Sequence, residues 1–231
     1  VSRHASFTPR ADAQYFDKLA FRRSVAPQDE YLLLEGSGTF SHGHEDANAV
    51  VRLTWRDRLW LADGDYIRAT PQFHNAVVIV HEGESHSPPP LASLIHALDA
   101  DPISLTQTEV APYNDMIWRR NIIWRKGAYF LILDELTAQT DGEFVVECLW
   151  RLLGQVTVSD RDMFAHQDGV TLAIRSGDDS RTTLIEEENR GKSNWSAYEH
   201  ADGVVRVLHQ RIGRMLGRGE RVVFANLFCI V

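Results

Sequence analysis

The chain has 231 residues, of which 44% are hydrophobic and 24% charged, as is ordinary for a soluble globular fold with a sizeable core. The formal net charge of −8 argues against a general nucleic-acid-binding surface, because binding phosphates requires concentrated Lys and Arg. An anionic sugar is not excluded, since a local Arg cluster can dominate the field inside a cleft. No apolar stretch is long enough to cross a bilayer, so no membrane partner is expected.

The ends of the chain and its two cysteines give further expectations. The chain starts with Val1 and stops inside the apolar run 221–231. Because natural domains rarely stop in mid-strand, we expect a piece of a longer protein. Cys148 and Cys229 both lie in apolar, strand-like runs, where two buried thiols and one disulfide are both open interpretations.

Alternation of apolar and polar residues predicts strands along most of the chain. In chain order, the predicted strands lie at 51–56, 59–62, 73–80, 117–124, 129–133, 143–153, 170–175, 182–185, 204–209 and 221–231. Turn sequences such as Asp141-Gly142 and Asp202-Gly203 separate them. Many short strands with turns between them predict an all-β fold, an antiparallel sandwich or barrel, which we treat as one domain over residues 1–231.

One short helix is predicted after Pro88-Pro89-Pro90. The residues that follow, Leu91, Leu94, Ile95 and Leu98, have helical spacing. Residues 12–24 could form a second helix, but their apolar side chains fit no period cleanly.

The most informative segment runs from residue 35 to 75 and is rich in histidine. His42 and His44 are two residues apart, as are side chains on one side of a strand. Asp63 ends the hairpin that follows, and His74 opens the next predicted strand. Two His and one carboxylate around an open fourth position are a common zinc arrangement, which other divalent metals can also use. We therefore predict a metal site; the alternative is a scatter of surface histidines.

The runs around these residues resemble the metal-site region of the heparinase II/III-like polysaccharide lyase family. The resemblance is carried by His42-Gly-His-Glu-Asp-Ala-Asn-Ala49, Leu59-Trp-Leu-Ala-Asp-Gly-Asp-Tyr66, Phe73-His-Asn-Ala-Val-Val78, Tyr31-Leu-Leu-Leu34 and Trp118-Arg-Arg-Asn-Ile-Ile-Trp124. It is close from about residue 31 to residue 136 and loose from there to the end.

That family cleaves uronic-acid-containing polysaccharides by β-elimination. The resemblance implies an α/α-toroid followed by a large antiparallel β-sandwich of the super-sandwich type, located in the periplasm or outside the cell. It places His42 at the active centre and makes His44, Asp63 and His74 the ligands of a metal, usually zinc. The implied partners are an anionic polysaccharide or oligosaccharide and the toroid of the same protein. No array of amphipathic helices precedes Tyr31, so the isolated chain is expected to be inactive.

Several residues of this segment keep two interpretations. His42 has the chemistry of a base or proton relay, because its ordinary pKa lies near neutrality, and it could equally be a third imidazole at the metal. Asp46 either orients a histidine through a hydrogen bond or is a solvated loop acid. Asn75 and Tyr66 are predicted to reach the substrate cleft, although a Tyr at this position more often packs at a strand edge.

Arg119 is a further predicted substrate-binding residue. An Arg can grip a uronate or sulfate bidentately, and the neighbouring Trp118 can stack on a sugar ring. Alternation sends only one of Arg119 and Arg120 to any given face, and the alternative is an ordinary exposed Arg on a strand. The run Glu186-Glu187-Glu188 predicts a solvated loop.

Two other classes of function compete with a lyase. Gly36, five residues and then His42-x-His44 imitate the start of a cupin metal motif, although the glutamate expected soon afterwards is missing. A cupin would hold its metal inside a barrel and would work as an isolated domain. The third class is a non-catalytic carbohydrate-binding sandwich, in which the metal only braces strands and contributes folding energy.

Overall fold

The computed structural model describes residues 9–38, 44–63, 68–178, 180–188 and 198–231. These residues form seventeen strands and one short 3-10 turn. The strands are β1 (Gln14–Tyr15), β2 (Lys18–Arg22), β3 (Tyr31–Glu35), β4 (Val50–Trp55), β5 (Arg58–Ala62), β6 (Val77–His81), β7 (Ser93–Asp99), β8 (Ile103–Tyr113), β9 (Met116–Arg125), β10 (Tyr129–Ala138), β11 (Gly142–Leu153), β12 (Gln155–Ser159), β13 (Asp162–Gln167), β14 (Val170–Ser176), β15 (Arg181–Glu188), β16 (Val204–Leu216) and β17 (Arg221–Ile230). The 3-10 turn, Pro71–Phe73, lies between β5 and β6.

The strands form two antiparallel sheets. Sheet 1 has nine strands in the order β1-β7-β8-β9-β10-β17-β14-β13-β12. Sheet 2 has eight, in the order β15-β16-β11-β5-β4-β3-β2, with β6 paired to β11. The predicted all-β fold, a large antiparallel sandwich, is confirmed. Neither sheet closes on itself within the described residues, so a barrel, and with it the cupin interpretation, does not fit.

Large apolar side chains from both sheets fill the space between them. Phe144, Val146, Cys148 and Trp150 of β11 are buried on one face, as their alternation predicts. The Trp150 indole meets the Phe228 ring of sheet 1 edge-on, with the ring centroids 4.8 Å apart. Burying each such side chain stabilises the fold by roughly 1.5–3 kcal/mol, and these contacts therefore hold the sheets face to face.

The helix predicted after the three prolines is wrong. Ser93–Asp99 is β7, which pairs with β8 and at one end with β1. A register shift between Leu94 and His96 breaks the period of two there, so the apolar residues imitate helical spacing. Residues 12–24 likewise contain β1 and β2 instead of a helix. In the part of the chain that the structure describes, no helix has the length and apolar character required to cross a membrane.

The two cysteines are free thiols. Cys148 is fully buried, and burial raises the pKa of its thiol well above the ordinary value. Cys229 is partly buried on β17. The disulfide left open by the sequence is absent between these two residues.

The acidic run at residues 186–188 belongs to a strand, so its interpretation as a solvated loop is wrong. Glu186 pairs with Arg206 at 3.0 Å. Glu187 accepts hydrogen bonds from Arg68 and Arg151, each at 2.9 Å. These ion pairs link the edge strand β15 to the rest of sheet 2 and to the segment that precedes the 3-10 turn.

Candidate metal centre

Two connecting segments of sheet 2, between β3 and β4 and between β5 and β6, carry the predicted metal ligands His44, Asp63 and His74, and the first of them also carries Asp46. His44 and Asp46 lie between β3 and β4, and Asp63 immediately follows β5. His74 follows the 3-10 turn, three residues before β6 begins, and does not itself open that strand. The pairing of β4 with β5, together with the bond from the Val50 N–H to the Asn75 carbonyl, brings these segments together.

The structure places His44, Asp63 and His74 in one cluster and adds Asp46 to it. One potential ligand atom from each of the four residues lies within 4.8 Å of the others. The two imidazole rings have their centroids 5.5 Å apart. His74 is fully buried, whereas the side chain of His44 is 23% exposed. The centre therefore lies at the margin of the core, with one ligand at the surface.

The surroundings of His74 place two acceptors around one imidazole. Its Nε2 lies 3.2 Å from the Ala69 carbonyl, and its Nδ1 lies 2.8 Å from Oδ1 of Asp63. A carbonyl and an ionised carboxylate can only accept, so the ring needs either two protons or a cation near Nδ1. Burial lowers the pKa of His74, but the charge of Asp63 and its hydrogen bond outweigh burial and raise it overall. An Nε2–H bonded to a carbonyl, with Nδ1 facing the site, is also how metal-binding histidines are usually oriented.

Asp46 is the cluster member whose chemistry most needs a cation. Its side chain is only 9% exposed, and its Oδ1 is buried without a hydrogen-bond partner among the described residues. Burial is the main cause that raises the pKa of Asp46 to about 7; the charge of His74 opposes the rise, and the charges of Asp63 and Glu35 add to it. The interpretation of Asp46 as a solvated loop acid is therefore wrong. A buried carboxylate repelled by a second carboxylate is stabilised by a metal ion or by a proton.

The four residues fit a divalent metal. Two imidazoles and two carboxylates are a donor set that zinc accepts, with metal–ligand bonds of about 2.0–2.2 Å. In a tetrahedral site of that size the ligand atoms lie roughly 3.3 Å apart. Because the four atoms already lie within 4.8 Å, small side-chain movements would complete such a site. The same donors suit other divalent metals, so the geometry selects a class of ion and not one element.

Gly38 allows the first ligand segment to pack closely. A Cβ placed on Gly38 would lie 2.8 Å from the His44 carbonyl oxygen and 3.2 Å from the Asp46 backbone nitrogen. The Gly38 N–H is bonded to the Pro90 carbonyl, which fixes the glycine against the segment leading to β7. Any side chain at position 38 would therefore push the segment that carries His44 and Asp46.

Gly38→Ala is expected to lower the free energy of unfolding by about 1–3 kcal/mol, because the added methyl group overpacks against backbone atoms. Chemical denaturation measures this loss. Gly213→Ala is the control, since a Cβ there makes only an ordinary contact of 3.5 Å with Val145. Equal stability of Gly38→Ala and the wild type would show that Gly38 is not in close contact with the segment that carries His44 and Asp46.

Asn75 lies beside the cluster but faces inward. It is fully buried, its amide donates to the carbonyls of Val50 and Ala62, and its Oδ1 accepts from the Arg151 N–H at 2.6 Å. Every one of these bonds braces sheet 2. The placement does not agree with the prediction that Asn75 reaches substrate, because its amide is fully used inside the sandwich.

The structure separates the two neighbouring arginines. Arg119 is 39% exposed on the outer face of sheet 1, where its Nε donates to Glu109 at 2.9 Å. Arg120 is fully buried and reaches the backbone beside Asp46 and His74. Arg119 is thus not brought into the cluster, and a sugar contact by Arg119 stays a prediction for the outer face of sheet 1. His42 and Tyr66, predicted for catalysis and substrate binding, lie outside the described residues.

Two residues at or beneath the candidate metal centre, Asp46 and Arg120, were not predicted from the sequence. Asp46 was not included among the ligands, although its spacing of two from His44 repeats the His42–His44 spacing and was a usable signal. Arg120 had no such signal, because alternation alone does not say which of two adjacent arginines faces the core.

The sequence of this chain matches no family model, whereas its structure matches several solved structures. No protein-family model and no curated protein matches the sequence. The structure of a heparan sulfate lyase from Pedobacter heparinus matches 94% of this chain with a TM-score of 0.70 and 16% identity. Two heparinase III structures match 95% and 97% of it, with TM-scores of 0.72 and 0.71 and identities of 14% and 15%. The chain has the β-sandwich fold of heparinase III.

The structural match covers only one part of each heparinase III or heparan sulfate lyase chain. The chain covers 35–37% of the length of the three structures, so it spans about a third of each lyase. At 14–16% identity the likeness establishes the heparinase III fold and not an activity.

Proposed function

We propose that this chain is the metal-binding sandwich of a polysaccharide lyase that cleaves uronic-acid-containing polysaccharide by β-elimination. The observation that carries the proposal is the convergence of His44, Asp46, Asp63 and His74 within a sandwich of the heparinase III fold. The names of the matched structures support heparan sulfate as the first substrate to test. The same proposal includes an α/α-toroid in the full-length protein and a periplasmic or extracellular location.

The chemistry requires three tasks of the full-length enzyme. It must remove the acidic proton beside a uronate carboxylate, neutralise that carboxylate and protonate the leaving glycosidic oxygen. We assign His42 to the proton transfer, as base or relay, because an imidazole changes charge near neutral pH. The substrate contacts proposed for Tyr66 and Arg119 would orient the sugar. A metal held by His44, Asp46, Asp63 and His74 would supply positive charge beside the anionic substrate.

A non-catalytic carbohydrate-binding module is the second candidate. It is favoured by the burial of His74 and by the use of Asn75 as a brace, since both make the centre a link between strands. A metal in such a position stabilises the fold whether or not the protein turns over a substrate.

Zinc content is the first test. Elemental analysis of the purified chain is expected to give about one zinc per chain, with most of it lost in His44→Ala, because one of four ligands is gone. His86→Ala is the matched control, since His86 is 65% exposed and lies outside the cluster. Equal zinc content in the wild type and His44→Ala would show that this cluster does not bind the zinc.

The lyase activity needs the full-length protein that contains this chain. We expect heparan sulfate to yield products with the ultraviolet absorbance of an unsaturated uronate, and His42→Ala to abolish that signal while retaining zinc. A full-length protein that binds zinc but releases no unsaturated product from any uronate polymer would leave the carbohydrate-binding module as the function.

A further inference from the structure

A single buried guanidinium connects the two sheets beneath the metal centre. Arg120 projects from β9 of sheet 1 and is fully buried. Its charged group lies over the Trp118 ring of sheet 1 at 5.0 Å and over the Trp150 ring of sheet 2 at 5.3 Å. It therefore lies between the sheets, where a buried donor needs a hydrogen-bond partner.

One end of this guanidinium is held by its own sheet. Asp134 stands directly opposite Arg120 on β10, and its carboxylate accepts from Nε at 2.8 Å and from Nη2 at 3.0 Å. The bidentate pair fixes the plane of the guanidinium. Trp118 donates its indole N–H to the same carboxylate at 2.7 Å, so Asp134 is held in turn.

The other end reaches across to sheet 2. Nη1 of Arg120 donates to the Asn48 carbonyl at 2.7 Å and to the Asn75 carbonyl at 3.1 Å. Asn48 lies two residues after Asp46, and Asn75 directly follows His74. A single nitrogen thus ties together the two segments that carry these cluster members.

A second residue of sheet 1, next to Arg120, also holds the segment around Asn48. Thr108 stands opposite Arg120 on β8, and its hydroxyl donates to the Asn48 side-chain oxygen at 2.6 Å. Asn48 has a φ of 71°, a left-handed conformation that Asn tolerates better than most residues and that needs surrounding support. Sheet 1 therefore fixes both the backbone and the side chain of this turn.

We propose that Arg120 is a positioning residue for the metal centre, setting the separation between the segment of His44 and Asp46 and the segment of His74. This inference rests on the proposed metal site. The reason for an ion pair here is geometric: an apolar side chain could fill the same space, but it could not hold two carbonyls at a fixed separation. Groups that orient metal ligands typically contribute ten- to hundredfold to metal affinity.

The test compares zinc dissociation constants, measured by competition with a chromogenic chelator. The double variant Arg120→Met with Asp134→Leu removes the whole ion pair and leaves no lone charge buried, so a folded protein is expected. We expect zinc binding to weaken about ten- to hundredfold. Arg120→Lys, which keeps the charge but lacks the second arm, is expected to weaken binding in the same direction, and it replaces the double variant if that protein does not fold.

Asn226→Ala is the matched control. Asn226 is fully buried between the same sheets and bonds Gln210, away from the ligand segments. A merely structural role of Arg120 predicts that all folded variants bind zinc as the wild type does, which would overturn the inference and leave the metal site intact. If the wild type binds no zinc, the metal site itself fails, and the two failures are thereby distinguished.

Discussion

Zinc at a large excess over its dissociation constant is expected to raise the melting temperature of the wild-type chain by about 8–16 °C, and that of His74→Ala far less. A ligand present at 1,000 times its dissociation constant stabilises the folded state by about 4 kcal/mol. In a domain of this size each kcal/mol shifts the melting temperature by roughly 2–4 °C. His74→Ala loses the imidazole that faces both Asp63 and the Ala69 carbonyl, so the remaining ligands bind zinc weakly.

The measurement is differential scanning fluorimetry or calorimetry with added zinc and with a chelator, for each protein separately. The difference within each protein cancels any loss of stability that the substitution causes by itself. His86→Ala, an exposed histidine outside the cluster, is expected to keep the full shift. A shift of the same size in His74→Ala would mean that zinc stabilises the chain from another site.

Asp134→Ala is expected to lower the free energy of unfolding by about 3–5 kcal/mol, because it leaves the buried guanidinium of Arg120 without its counter-charge. Both side chains are fully buried, so water cannot screen or replace the missing partner. Trp118 and Arg120 together lose three donated hydrogen bonds. Urea denaturation at fixed pH and salt gives the free energy directly.

The double variant Arg120→Met with Asp134→Leu serves as the comparison for stability as well. It is expected to be more stable than Asp134→Ala, since an apolar pair leaves no uncompensated charge. Some loss relative to wild type, about 1–3 kcal/mol, is expected because the Asn48 carbonyl loses its donor and the Trp118 indole N–H loses its acceptor. If Asp134→Ala were as stable as the wild type, the ion pair between Arg120 and Asp134 would not stabilise the fold.

Strands β9, β10 and β11 were predictable because one face of each is buried and their sequences alternate, whereas the alternating strands β3, β8 and β13 were not predicted. The hairpin of β9 and β10 follows from alternating apolar residues around a turn containing Gly127, whose φ of 78° suits glycine. The face of β11 that packs into the core also followed from alternation. Such local patterns persist because a shift of one residue would expose every core side chain to solvent.

Prediction failed where strand pairing or ion pairs overrode the local pattern. The apolar spacing after Pro90 is helical, but pairing with β8 and a register shift after Leu94 make it a strand. Glu187 appeared to be a solvated loop acid until the fold placed it beside Arg68 and Arg151. For Glu187 the deciding partners lie 119 and 36 residues away, and no short window of sequence contains them.

The sequence by itself determined the all-β class, because strand periodicity is a local property. It also indicated His44, Asp63 and His74 as candidate ligands, through the spacing of ligand-type residues together with the resemblance to the heparinase II/III-like family. Only the tertiary structure decided that Asp46 joins them and that Arg120, and not Arg119, lies beneath them. Those outcomes depend on how two sheets face each other. Burial between sheets turns one loop acid into a candidate ligand and one strand arginine into a brace, and neither effect exists before the sheets have packed.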